Sequence, residues 1–90
     1  MVKIFVIIVY DIGIKRVNKM KALLRQYLKW IQNSVFEGDL TESEFREVTT
    51  IIENIIEKSH DHLVVYILND VKYLNRREFG TPKLDSSNII

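Results

Sequence analysis

The sequence predicts an α+β domain, a two-layer sandwich with two helices on one face of a β-sheet. Three observations predict it. Val2–Tyr10 is a nearly unbroken β-branched and aromatic run, Val17–Leu28 spaces its apolar residues as a helix does, and Thr41–Glu44 reads as a helix-starting capping box. Segments of these lengths, in this order, pack as two layers around one core. Ninety residues make one domain, read as residues 1–80 with a tail at 81–90. Hydrophobic residues form 47% of the chain, which suits a packed core rather than disorder. There is no cysteine, so disulfides and thiolate metal sites are excluded.

The first element is the Val2–Tyr10 strand. Lys3 is its only charge, and apolarity this continuous predicts a central strand covered on both faces. Two helices cover one face of such a sheet, so a second copy of the chain is expected on the other. Gly13 permits the bend into a helix over 14–28, where Val17, Met20, Leu24, Tyr27 and Leu28 form the buried stripe. Trp30–Asp39 is extended, and pattern alone leaves open whether it is one strand or two. The next helix is expected over 42–58. Thr41 and Glu44 cap it, Leu40 and Phe45 staple it, and acids crowd its first turn where the helix dipole favours them. A polar turn at 59–61 leads into a strand over 62–69, and Lys72–Phe79 reads as a weaker final strand.

Val2–Tyr10 is too short to cross a bilayer, which takes roughly 20 apolar residues. No basic segment precedes it and no small-residue cleavage site follows it, so it is not read as a signal peptide. The expectation is a cytoplasmic protein without a membrane partner.

Charge is segregated beneath a net value of +1. Residues 12–36 hold Lys15, Arg16, Lys19, Lys21, Arg25 and Lys29 with no acid, while 37–61 are dominated by Asp and Glu. One face is therefore suited to polyanions although the whole chain is nearly neutral. Asp11 stands between the apolar strand and this basic stretch. A lone carboxylate there is placed where a divalent metal could meet a phosphate.

Gly-rich phosphate loops, Ser-His-Asp motifs and metal-ligand clusters of known spacing are all missing from the sequence. His60-Asp61-His62 is the nearest approach to a transition-metal site, since residues two apart on a strand share a face. A solvent-exposed turn is the commoner explanation. Gln32-Asn33-Ser34-Val35-Phe36-Glu37-Gly38 places amides, a hydroxyl and an aromatic together, which suits either a strand irregularity or a contact with a ligand or another chain.

Three stretches together resemble the CRISPR-associated protein 2 family: Ile8-Val9-Tyr10-Asp11, Lys15-Arg16-Val17-Asn18-Lys19, and Gln32 through Gly38. The resemblance covers essentially the whole chain. It implies a ferredoxin-like βαββαβ fold with an additional C-terminal strand, the Trp30–Asp39 stretch dividing into two strands. It implies a homodimer whose C-terminal segments pair with the partner's sheet. It also implies a metal-dependent endonuclease acting on RNA or double-stranded DNA in CRISPR adaptation, with Mg²⁺ or Mn²⁺ held by Asp11 of each copy. Tyr10, Lys15, Arg16, Lys19, Arg25, Ser34 and Phe36 are the expected nucleic-acid contacts. The alternative is a non-catalytic dimeric scaffold that binds duplex DNA and the CRISPR integrase. Two positions depart from the family pattern. Trp30 stands where many relatives have arginine, and Val17 replaces one of two paired arginines.

Overall fold

The computed structural model describes residues 2–83. The elements in order are β1 (Lys3–Asp11), α1 (Ile14–Arg25), β2 (Lys29–Gln32), β3 (Val35–Thr41), α2 (Glu42–Ile55) and β4 (His62–Leu68), followed by a 3₁₀ turn at Val71–Tyr73. The four strands form one antiparallel sheet in the order β2-β3-β1-β4. This is the ferredoxin-like βαββαβ arrangement, with β1 central and paired on both sides.

Alternation along β1 sorts its side chains. Val6, Ile8 and Tyr10 face the helices and are buried with Met20, Leu24, Phe36, Leu40, Val48 and Ile52. Lys3, Phe5, Ile7, Val9 and Asp11 point to the opposite, open face. Val64 and Tyr66 of β4 join them there, opposite Val9 and Ile7. Val9 is 37% and Tyr66 57% exposed. The chain alone thus leaves uncovered part of the face that the apolar run of β1 is built to bury.

The capping box forms as expected. Thr41 Oγ1 accepts from the Glu44 N–H at 3.2 Å, and Glu44 Oε1 accepts from the Thr41 N–H at 2.8 Å. Tyr27 donates its hydroxyl to Glu47, tying the turn after α1 to α2. Trp30–Asp39 divides into β2 and β3 around Asn33 and Ser34. Asn33 takes a positive φ of 43°, a conformation asparagine tolerates better than most residues, and a bulge shifts the register between Trp30 and Gln32. Gly38 leaves room for Leu28: a Cβ there would lie 3.0 Å from Leu28 Cδ2.

Three boundaries differ from expectation. α1 ends at Arg25 rather than 28, because its last turn tightens and Leu28, still buried, leads straight into β2. α2 ends at Ile55 rather than 58, where Ile56 adopts an extended conformation. Lys72–Phe79 forms no strand among the described residues. Arg76 to Phe79 line a hollow with Ile31 and Gln32 of the edge strand β2 without joining its ladder, and Arg76 forms a side-chain ion pair with Glu37 of β3. The partner-pairing expected of residues 81–90 falls largely on 84–90, which lie outside the described residues.

Candidate functional site

Asp11 is the last residue of β1, exposed, on the open face. Its antiparallel partner is His62, the first residue of β4 and also exposed. The turn between β2 and β3 closes on the same end of the sheet, where the Tyr10 N–H donates to the Ser34 carbonyl at 3.1 Å. Beyond Asp11, Ile12 and Gly13 lead into α1. The sheet end therefore gathers Asp11, His62, the Asn33–Ser34 turn and the first turn of α1.

Among the described residues the Asp11 carboxylate has no hydrogen bond or ion pair of its own. An exposed, uncommitted carboxylate suits a hard cation such as Mg²⁺ or Mn²⁺, which prefers oxygen donors. Among the described residues no group of three or more His, Cys, Asp or Glu stands ready to hold a metal. Among the described residues Asp11 is the carboxylate that ends β1 on the open face. That fits a cation which keeps several waters and takes its remaining ligands from a substrate phosphate or a second copy.

The expected nucleic-acid contacts separate into distinct groups. Lys15 and Lys19 lie on the exposed strip of α1 with Asn18 and Ala22. Arg25 sits half-buried at the far end of the helix, where a cation complements the helix dipole. Ser34 is half-buried in the hairpin turn.

Two expectations are corrected. Tyr10 and Phe36 are not presented at the surface: they are 5% and 0% exposed, with rings stacked at 6.3 Å and an interplanar angle of 20°. Strand alternation is the reason. Tyr10 and Asp11 are neighbours and so point to opposite faces, Tyr10 under the helices and Asp11 away from them. Phe36 lies beside Ile8 on the helix side.

Arg16 is also differently employed. Its Nε donates to Asp61 Oδ2 at 2.6 Å and its Nη2 to Asp61 Oδ1 at 2.9 Å, a two-pronged pair. Asp61 Oδ1 accepts from the Gly13 N–H at 2.8 Å, and Oδ2 from the Glu57 N–H at 2.9 Å. The Asp61 side chain is fully buried. The Arg16 guanidinium holds its carboxyl well below the usual carboxylate range, the Gly13 and Glu57 N–H groups adding to the effect against the cost of burial. His60-Asp61-His62 is thus no three-residue metal site, because its central acid is consumed by structure. The sequence marks Asp61 only as the centre of His60-Asp61-His62, not as the partner of Arg16. The available signal was an acid set at the end of a turn, directly ahead of an apolar strand.

The sequence model for the family described as CRISPR associated protein Cas2 matches residues 4–76. The chain belongs to the Cas2 family. It is 50% identical to the CRISPR-associated endoribonuclease Cas2 of Methanosarcina acetivorans, over 96% of this chain and 99% of that protein. It is 44% identical to the protein of the same name from Methanothermobacter thermautotrophicus, over 91% and 90% of the two chains. A crystal structure of Cas2 superposes with a TM-score of 0.81 at 36% identity, covering 90% of this chain and 91% of the other. The stretch matching the Cas2 family spans Asp11, Arg16, Glu37, Asp61 and Arg76, so both ion pairs lie within it. No helix among the described residues is long and apolar enough to cross a membrane.

Proposed function

We propose that this protein is a cytoplasmic, homodimeric endoribonuclease of CRISPR adaptation in which Asp11 of each copy holds Mg²⁺ or Mn²⁺ against the phosphodiester to be cut. The observation that carries this reading is the Asp11 carboxylate itself, exposed and uncommitted on the open face of the sheet. The partly uncovered apolar patch of Val9 and Tyr66 beside it favours a second copy on that face, bringing a second Asp11. The names of the relatives supply the substrate class, RNA.

When bound, the metal would polarise the phosphodiester and ease deprotonation of a water. The chain's own residues do the rest. Asp11 fixes the cation with an oxygen donor. Lys15 and Lys19, exposed along α1, contact backbone phosphates without reading sequence. The apolar patch, once covered by the partner, keeps bulk water from the site's flank.

The test compares cleavage of a single-stranded RNA by wild type and Asp11→Asn, with dimerisation followed by size-exclusion chromatography. Loss of cleavage with dimerisation intact supports the reading. Unchanged cleavage by Asp11→Asn refutes it.

The scaffold reading is favoured by a different observation. Arg16 is committed to Asp61, and among the described residues no cluster of three or more His, Cys, Asp or Glu stands ready to hold a metal. In that case the dimer grips duplex DNA and the CRISPR integrase and cuts nothing. Wild-type inactivity on RNA and DNA with either metal, alongside retained duplex binding, selects the scaffold.

A further inference from the structure

Asp61 joins three pieces of chain that are distant in sequence. Through its four hydrogen bonds it links the loop after β1, the first turn of α1 and the turn after α2. Burying a carboxylate is costly, and an apolar side chain of similar volume would often serve stability as well. The location of the cost points to geometry. Gly13 is separated from Asp11 by Ile12 alone, and Asp61 directly precedes His62, the cross-strand partner of Asp11. Asp61 thus grips the end of β1 twice, along the chain through Gly13 and across the sheet through β4. Asp11 has no side-chain partner among the described residues to hold it otherwise.

We infer that Asp61 is a positioning residue for Asp11: its bonds to Gly13 and Arg16 hold the end of β1 in the conformation from which the Asp11 carboxylate meets a divalent metal. The inference rests on the metal-ligand reading of Asp11 above. Arg16 acts through Asp61, as the brace that keeps its carboxylate against the Gly13 N–H.

Mn²⁺ binding, followed by electron paramagnetic resonance on the dimer without nucleic acid, tests the inference together with hydrogen exchange at the Gly13 amide. Arg16→Lys keeps the charge and removes the two-pronged fork. Asp61→Asn keeps the shape and removes two of the acceptor interactions. The expected result is faster Gly13 exchange in both variants. Mn²⁺ affinity falls about tenfold in Asp61→Asn, the usual scale for residues that orient a metal ligand, with a smaller loss in Arg16→Lys. Should Asp61→Asn fail to fold, Arg16→Lys decides alone.

Wild-type Mn²⁺ affinity in Arg16→Lys with accelerated Gly13 exchange overturns the inference. So does unchanged Gly13 exchange in folded Asp61→Asn. An affinity loss confined to Asp61→Asn is a charge effect, which also overturns positioning. Failure of the metal reading itself shows elsewhere, as unmutated protein whose Mn²⁺ binding matches that of Asp11→Asn.

Discussion

Phe36 decides between two roles for the Gln32–Gly38 segment, and the decision can be measured. A ring that serves RNA must be presented to it, yet Phe36 is 0% exposed and stacks on Tyr10 inside the core. An aromatic side chain buries roughly 150–250 Å², which at roughly 25 cal/mol per Å² is about 4–6 kcal/mol. The methyl group left by Phe36→Ala returns part of that, and the cavity among Ile8, Tyr10 and the helices adds to the loss. The expected cost is about 3–5 kcal/mol. For a domain of this size each kcal/mol lowers the melting temperature by roughly 4–8 °C, so the midpoint should fall by on the order of 20 °C. Circular dichroism at one fixed protein concentration measures this, so that any self-association weighs equally on both proteins. The milder Phe36→Leu retains the fold and should bind single-stranded RNA with wild-type affinity by fluorescence anisotropy. Loss of one base stack costs about 1–3 kcal/mol, roughly 5- to 150-fold in affinity. A Phe36→Leu protein that melts like wild type but binds RNA that much more weakly would refute the core assignment.

Thr41→Ala removes the acceptor for the Glu44 N–H and should cost about 1 kcal/mol, seen as a modest drop in melting temperature. Replacing Lys15 and Lys19 with Ala should flatten the salt dependence of RNA binding by roughly 0.7 in the logarithmic slope per lysine, with the melting temperature unchanged because both are exposed. Asp61 sets an acid limit. Its carboxyl lies below the usual range when folded, so the unfolded chain binds that proton more readily. The stabilisation is full above the unfolded value of about 4 and is lost as pH falls below it. Melting temperature should therefore decline in acid for wild type and decline less steeply for Asp61→Asn. Equal slopes would mean that Asp61 is not held by Arg16 in solution.

Much of the frame was legible in local pattern. The run that makes β1 and the box at Thr41–Glu44 are short-range signals, and the structure forms both where they were read. Signals failed where the outcome depended on a neighbour. Lys72–Phe79 carries strand-forming residues but pairs with no strand among the described residues, and its Arg76 meets Glu37 instead. The end of α1 moved because Leu28 is buried as readily from a turn as from a helix.

The sequence by itself determined β1, both helices, the capping box, the basic strip and the isolated carboxylate, because each is written in residues within a turn or a strand of one another. Tertiary structure alone decided which side of β1 the helices cover. That choice buries Tyr10 and Phe36 and turns Asp11 outward. It also decided that Arg16 meets Asp61, 45 positions away. Period-two alternation says which residues share a face but not which face becomes the core, and no local pattern pairs two charges that only the closed fold brings together.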